Sequence, residues 1–541
     1  MSWTAAAAFA SSLGTVESQL IRQDSAGFDP VTALAELGLN ASNFVTGAPS
    51  ATLVGVTARE TAQRQAKINP CAYSCASLEL VYPGQVYYPS SSGYNYAQSG
   101  YWSLQQADVD PFCVFEPSIA VGISVTVLLS RLTRCPFAVK SGGHAAFANA
   151  SNIGGGITIN FANMKSIVRS SDGNTTSIQP GNTWYDVYST LGEQNVTVVG
   201  GRVAAIGVGG LTLGGGISFF SGKYGWACDN VVNYELVTAV GAIIDVNETS
   251  YPDLYWALRG GGNNFGIVTR FDLETYPQGM MWGGSLAYLP NYTSTILNAT
   301  YQYALDSSSD QNAALITAFA YANGLWLAVA DLEYAIPVEH PAIFDTFLNT
   351  PSIQDTTAIK GLPEITLEFN ASNPGGLRET YWTATFKADP MLLSFIVNEF
   401  EQDFAPLVNV SGIVPSCVLQ IITTDELSHM SKRGGNALGI TIGDGPLLLL
   451  NIAIMWADAT ADDAILEASQ RVIDNTVSQA RAWGLDNEYL YMNYASQFQD
   501  VVSSYNATNH ARLVSIAKKY DPTGVFQKLQ PGYFKLGSTV S

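Results

Sequence analysis

One histidine and two tyrosines stand out by type and spacing. His144 closes the run Pro136-Phe137-Ala138-Val139-Lys140-Ser141-Gly142-Gly143, a short apolar stretch ending in two glycines. That pattern predicts a buried strand entering a tight turn, with the imidazole at its tip. His340, His429 and His510 lie in polar contexts and read as surface residues. Tyr491 and Tyr494, in Tyr491-Met492-Asn493-Tyr494, are the best candidates for a general base. A phenol at its ordinary pKa of about 10 is a poor base at neutral pH, so either one needs a depressed pKa or a partner. Read as a strand, this stretch turns residues three apart to opposite faces; one tyrosine then faces a substrate and the other packs elsewhere. Gln420, in the strand-like run 418–422, offers its amide to a ligand or to a buried backbone group.

Glycine-rich turns follow the histidine at 154–156, 200–201, 207–216 and 260–266. Glycines this dense between strands let the main chain approach a ligand and turn N–H groups toward it, enough to hold a diphosphate without much positive charge. The familiar nucleotide fingerprints are absent. Thr212 stands where a dinucleotide turn needs its third glycine, and Gly222-Lys223 has no glycine five residues before it. No His-X-X-X-His is present, and Cys71 with Cys75 is an isolated pair, so a metal site lacks support.

Several of these motifs, in fixed order, resemble the fungal flavin-linked oxidoreductases of the vanillyl-alcohol oxidase superfamily, in the berberine-bridge-enzyme-like branch. They are Ser141-Gly142-Gly143-His144, Gly200-Gly201-Arg202, the turn 207–216, Gly225-Trp226-Ala227-Cys228-Asp229-Asn230, the stretch 253–262 and Asn264-Phe265-Gly266-Ile267-Val268-Thr269. The similarity resumes at Tyr491-Met492-Asn493-Tyr494, at 519–527 and at 531–536. The resemblance implies an α+β fold: a two-part FAD-binding domain of the PCMH type with an inserted substrate domain, an antiparallel sheet backed by helices. It implies FAD bonded covalently to the His144 ring through the flavin 8α-methyl. Lys140, Ser141, Gly142, Gly143, Gly201, Gly207, Val208, Gly209, Gly210, Gly214, Gly266, Ile267, Val268 and Asn493 would contact the cofactor. Many relatives add a second bond from a cysteine; Val203 occupies that place, so a single link is expected.

Function follows as expectation. A flavin needs its position fixed, its electron affinity raised and a base beside the departing proton. Tyr491, Tyr494 and Gln420 are the catalytic candidates; Arg378, Tyr381 and Trp382 belong to a segment of the substrate sheet. The expected reaction moves a hydride from an alcohol or activated C–H of a small organic molecule, a sugar or secondary metabolite, to FAD, with oxygen reoxidising it to give hydrogen peroxide. Ile206 and Leu211 are bulky and flank the turn near which oxygen must pass, which keeps open a dehydrogenase using another acceptor. A retired flavin fold serving as a secreted binding protein is the reading outside enzymology.

The elements that must position these groups need a large core. The chain has 541 residues, 47% of them apolar, which suggests two intimately packed domains. A net charge of -20 opposes binding to nucleic acid or anionic lipid. No apolar run is long enough to span a membrane; the longest, 446–457, suits a buried strand. The resemblance implies an N-terminal arm with the start of the FAD domain over 1–106, the FAD core over 107–277, the substrate domain over 278–488 and a return to the FAD domain over 489–541. Residues 83–102 read as loop, and a helix is expected over 117–132. Strands are expected at 157–161, 196–199, 231–240, 242–246 and 267–273, and an amphipathic helix carries Ile465, Ala468, Val472, Thr476, Ala480 and Trp483 on one face.

Cys71, Cys75, Cys113 and Cys135 allow three pairings. The resemblance implies a bridge from Cys71 or Cys75 to Cys135, leaving Cys228 and Cys417 unpaired. The N-terminus has no basic segment and is a poor signal peptide. Asn-X-Ser/Thr acceptors at Asn40, Asn149, Asn174, Asn195, Asn247, Asn291, Asn298, Asn370, Asn409 and Asn506 point to a secreted, glycosylated protein, and a monomer is expected.

Overall fold

The structure is a computed structural model that describes residues 27–39 and 69–537. The weak leader, the Asn40 acceptor and most of the N-terminal arm lie outside the described residues. Within 27–39, the helix Pro30–Glu36 starts on an Asp29 cap whose carboxylate accepts from the Val31 and Thr32 N–H groups.

Four short strands form the first sheet: β1 (Val86–Tyr87), β2 (Cys113–Phe115), β3 (Phe137–Lys140) and β4 (Ile157–Asn160), in the order β1-β2-β4-β3. β4 runs parallel to both β2 and β3. Parallel neighbours require a crossover. The helix Ala120–Thr133 follows β2 and leads into β3, burying Ile123, Val125, Val127, Leu128 and Leu129. It starts three residues later than the sequence predicts, because Pro117 to Ile119 are spent turning the chain out of β2 and Ile119 is still extended. The 83–102 segment is not all loop. It holds β1 and the helix Ser92–Ser99, capped by the Ser91 hydroxyl on the Tyr94 N–H.

The second sheet is antiparallel: β5 (Ile167–Arg169), β6 (Thr175–Ile178), β7 (Val196–Val198), β8 (Val231–Val237), β9 (Ile243–Asn247) and β10 (Ile267–Pro277). The long β10 pairs with β6, β7 and β8 and so joins three segments of the chain.

Residues 281–487 supply the third, nine-stranded antiparallel sheet: β11 (Met281–Tyr288), β12 (Ala313–Ala322), β13 (Leu325–Tyr334), β14 (Gln354–Asp355), β15 (Ala358–Lys360), β16 (Arg378–Lys387), β17 (Val414–Ile422), β18 (Leu447–Trp456) and β19 (Asp486–Asn487). Alternation along these strands separates two faces. One carries Leu419, Ile421, Trp382 and Phe386 into a core shared with the helices Thr293–Asp306, Pro390–Phe404 and Asp462–Trp483. The last of these buries Ile465, Ala468, Val472, Thr476 and Ala480 as its periodicity predicts, while Trp483 sits half-exposed at its end against Phe395. The other face carries Ser285, Ala318, Ala320, Tyr381, Val418 and Gln420 toward the glycine turns.

The chain then returns to its first half. Phe137 N donates to the Leu529 carbonyl at 2.7 Å and the Phe137 ring meets Phe526 edge-on, which locks the C-terminal segment beside the histidine strand. Two disulfides, Cys71–Cys135 and Cys75–Cys113, tie the helix Pro70–Val81 to the first sheet. Residues 71 and 75 are one helical turn apart and share a face, so one helix reaches both partners. Cys228 and Cys417 are free and buried. Among the described residues no helix is long and apolar enough to cross a membrane.

Candidate active site

A cavity of about 1020 Å³ opens between the third sheet and the glycine turns. His144, Gln420, Tyr491, Asn493 and Tyr494, drawn from separate stretches of chain, all line it, with Ser141, Gly142, Gly143, Gly207, Gly209, Gly210, Gly266, Ile267 and Val268. Lys140, Gly201, Val208 and Gly214 do not. Lys140 is buried behind the turn, where its Nζ donates to the Ala97 carbonyl at 2.6 Å and sits over the Tyr101 ring. Gly201 packs against Trp184, Val208 lies in the core, and Gly214 makes room for the Asn493 side chain.

The histidine turn forms because β3 ends against Gly142 and Gly143. Gly143 has φ +73°, a left-handed conformation that suits glycine. A Cβ on Gly142 would stand 2.4 Å from Gly207 N, and one on Gly207 2.2 Å from Gly142 N. Two backbone turns therefore meet with no room for side chains, and Ser141 Oγ fixes the contact by accepting from Gly209 N at 3.1 Å. The His144 ring stacks on Trp102 with centroids 4.2 Å apart. Its Nε2 is buried and has no hydrogen-bond partner, and burial pushes the imidazole pKa down to about 4. A neutral imidazole with a buried, unpartnered nitrogen, on the wall of a cavity lined by glycine main chain, fits a large planar cofactor with a diphosphate.

Tyr491 and Tyr494 do not lie on a strand. Met492–Tyr494 is a 3₁₀ turn, closed by Tyr494 N on the Tyr491 carbonyl at 2.9 Å. Residues three apart eclipse on such a turn. Both rings accordingly reach the cavity and touch edge to face at 4.9 Å, instead of pointing apart as a strand would require. Their hydroxyls differ. Tyr491 accepts from Ile217 N at 3.1 Å and from Asn493 Nδ2 at 3.0 Å, and burial pushes its pKa far up, so it is a fixed wall. Tyr494 accepts from Arg202 Nη2 at 2.7 Å and from Gln420 Nε2 at 3.2 Å. Asn493 also donates to the Leu211 carbonyl at 3.0 Å, tying this turn to the glycine segment.

Arg202, Trp102, Glu379 and Asp331 belong to the cavity wall, and of these the sequence picks out Arg202 alone, without a role. Arg202 stands in the open as the end of Gly200-Gly201-Arg202; only its reach across to Tyr494 is hidden. Along β16, alternation sends Tyr381 into the cavity and Trp382 to the opposite core, while Arg378 pairs with Asp462 outside it. Val203, Ile206 and Leu211 all line the cavity.

Residues 111–247 match the family model described as FAD binding domain, and 490–531 match the one described as Berberine and berberine like. The chain is 37% identical over 463 residues to FAD-dependent monooxygenase tpcD of Cochliobolus heterostrophus, covering 83% of this chain and 89% of that one. It is 38% identical over 454 residues to FAD-dependent monooxygenase FUP4 of Fusarium proliferatum, covering 81% and 88%. The xylooligosaccharide oxidase of Myceliophthora thermophila C1 shares the fold, with a TM-score of 0.68 at 20% identity over 86% of this chain and 100% of that one. The chain belongs to the berberine-bridge-enzyme-like flavoproteins of the vanillyl-alcohol oxidase superfamily and is an FAD-linked oxidoreductase.

Proposed function

We propose that the protein takes a hydride from an alcohol carbon or an activated C–H of a small organic molecule, passes it to FAD tethered through His144, and uses oxygen as final acceptor, releasing hydrogen peroxide. The observation that carries this reading is the Tyr494 hydroxyl, set on the cavity wall between the Arg202 guanidinium and the Gln420 amide. Both donors point at the phenol oxygen and give a tyrosine base the partners it needs. Tyr494 then takes the substrate O–H proton as the adjacent C–H bond breaks, leaving a carbonyl. FAD, when bound, supplies the two-electron acceptor.

The main chain of 141–143, 207, 209–210 and 266–268 would hold the cofactor, and the unpartnered Nε2 supports His144 as its tether. Val203 in place of a cysteine leaves that link single. Residues 278–488, which contain the nine-stranded sheet, form the substrate domain, inserted between the 107–277 core and the 489–541 return; the arm with the start of the FAD domain is 1–106. The monooxygenase names of the two curated relatives support oxygen as a reactant here. Ile206 and Leu211 on the cavity wall favour a second reading, an acceptor other than oxygen; turnover with oxygen against turnover with a dye separates the two. Seven acceptor asparagines, Asn149, Asn174, Asn195, Asn291, Asn298, Asn409 and Asn506, are exposed. With the two disulfides they support a secreted, glycosylated protein, which we take as a monomer; a glycosidase mobility shift and light scattering check the two.

The deciding experiment is the visible spectrum of the purified protein, then acid precipitation and mass analysis of the peptide containing His144. Yellow colour retained on that peptide, with the mass of one FAD added, is the expected result. Flavin released to the supernatant overturns the tether, and colourless protein overturns the reading as a whole.

A further inference from the structure

We infer that Glu379 is a substrate-recognising residue, whose carboxylic acid donates a hydrogen bond to an uncharged carbonyl or hydroxyl oxygen of the molecule held beside Tyr494. This rests on the reading of the cavity as the substrate site. Glu379 is 3% exposed, lines the cavity, and its Oε1 has no hydrogen-bond partner. Its backbone cannot swing the carboxyl out to water: Glu379 N donates to Gln105 Oε1 at 3.0 Å and its carbonyl accepts from Gln105 Nε2 at 2.9 Å. A buried polar group left without a partner is destabilising, and a ligand that hydrogen-bonds to it relieves that cost.

The neighbours decide which ligand. Arg378, next in sequence, faces the other way on β16 and is engaged by Asp462 and Asp108, so no guanidinium neutralises Glu379. Among the described residues the one lysine or arginine on the cavity wall is Arg202, which is committed to Tyr494, while Asp331 adds further acid; Glu368 is paired with Lys360. A carboxylate or phosphate substrate meets repulsion there. Burial pushes the Glu379 carboxyl up to about 9, so at neutral pH it carries a proton to donate. Tyr381 stands two residues on, on the same face and about 7 Å along the strand. Its ring meets Tyr494 at 5.9 Å. The recognised oxygen therefore lies within the span of a ring or two from the carbon that reacts.

The test uses purified protein of recorded flavin content and four probes of one shape: naphthalene, 2-naphthol, 2-naphthoate and 2-(aminomethyl)naphthalene. Calorimetric titration does not depend on flavin colour, so a failed cofactor reading and a failed Glu379 reading are told apart. The expected result is that 2-naphthol binds about tenfold tighter than naphthalene, a gain of one hydrogen bond, and naphthoate weakest of the four. Glu379→Gln, which keeps a donor, retains the preference for 2-naphthol; Glu379→Met loses it. Because it removes a carboxyl whose Oε1 is buried without a partner, Glu379→Met also melts higher than the parent, which a glutamate that braces the fold would not allow. Four outcomes overturn the inference: no probe binding, a preference surviving Glu379→Met, a lower melting point for that variant, or the amine binding best, which makes the site a cation site.

Discussion

Arg202 and Tyr494 are 292 positions apart in the sequence, yet Arg202 Nη2 donates to the phenol oxygen at 2.7 Å. One residue ends a glycine turn and the other sits on the C-terminal return, so the pair exists only once the two halves of the cofactor region close. Tyr494→Phe is expected to slow flavin reduction by about 10²–10⁴ fold, the usual worth of a general base, with flavin content unchanged. Arg202→Met should act in the same direction and Arg202→Lys should recover part of the loss. Tyr491→Phe should reduce flavin at close to the parent rate but lower stability by roughly 1–3 kcal/mol, because the buried Ile217 N–H loses its acceptor. Anaerobic stopped-flow reduction reads the rates; a Tyr494→Phe enzyme as fast as the parent places the base elsewhere.

Gly207 and Gly210 are close in sequence and differ in what surrounds them. A Cβ on Gly207 collides with the Gly142 backbone, whereas one on Gly210 meets nothing within 4 Å. Gly207→Ala must force the two turns apart and should cost about 1–3 kcal/mol together with most of the bound flavin. Gly210 lies in the helix Val208–Leu213, so Gly210→Ala should leave stability unchanged or raise it by up to roughly 1 kcal/mol. If the cofactor lies against that glycine, the same methyl lowers flavin occupancy. Denaturant midpoints and the ratio of flavin to protein absorbance separate the two effects.

Glu426 gives a pH signature. Its carboxylate accepts from Trp226 Nε1 at 2.9 Å, and burial pushes its pKa from the ordinary 4.5 up to about 7. Between those two values the folded protein binds more protons here than the unfolded chain, so this group makes stability fall as pH rises from 4.5 to 7. The contribution is on the order of 2–3 kcal/mol across that window, from the size of the shift. Glu426→Gln should therefore flatten the pH dependence of the denaturation midpoint over this interval and nowhere else. An unchanged slope would mean that the carboxyl titrates normally.

Residues that announce themselves locally are legible in the sequence alone. His144 follows an apolar strand and two glycines, and a turn is the natural continuation of such a run. β18 and the stripe on the Asp462–Trp483 helix follow from apolar periodicity. The tyrosine pair reads wrongly as a strand because four residues are too few to show a period, and the 3₁₀ turn is closed by a backbone bond from Tyr494 N to the Tyr491 carbonyl that residue types do not announce. Ser91 is a readable helix cap that the tyrosine- and glycine-rich composition around it disguises. Arg202, Trp102 and Glu379 reach the cavity only through tertiary closure, and nothing in their own neighbourhoods marks their destination. Lys140 misleads in the opposite sense: its place in the motif suggests the cofactor, and its long side chain turns behind the strand to Ala97.

The two disulfides should prove non-additive. Cys75–Cys113 closes a loop of 38 positions and lies inside the 64 closed by Cys71–Cys135, and both start from the helix Pro70–Val81. Taken alone, chain entropy assigns each bridge about 4 kcal/mol. With the outer bridge intact, however, residues 75 and 113 are already held near each other in the unfolded chain, so the inner bridge has less freedom left to remove. Replacing Cys75 and Cys113 by alanine should then cost less than about 4 kcal/mol while Cys71–Cys135 remains. Removing all four cysteines should cost more than the sum of the two separate pair replacements. Denaturant midpoints of the three variants check this. Additive losses would mean that the bridges act by holding the folded helix in place and not by restricting the unfolded chain.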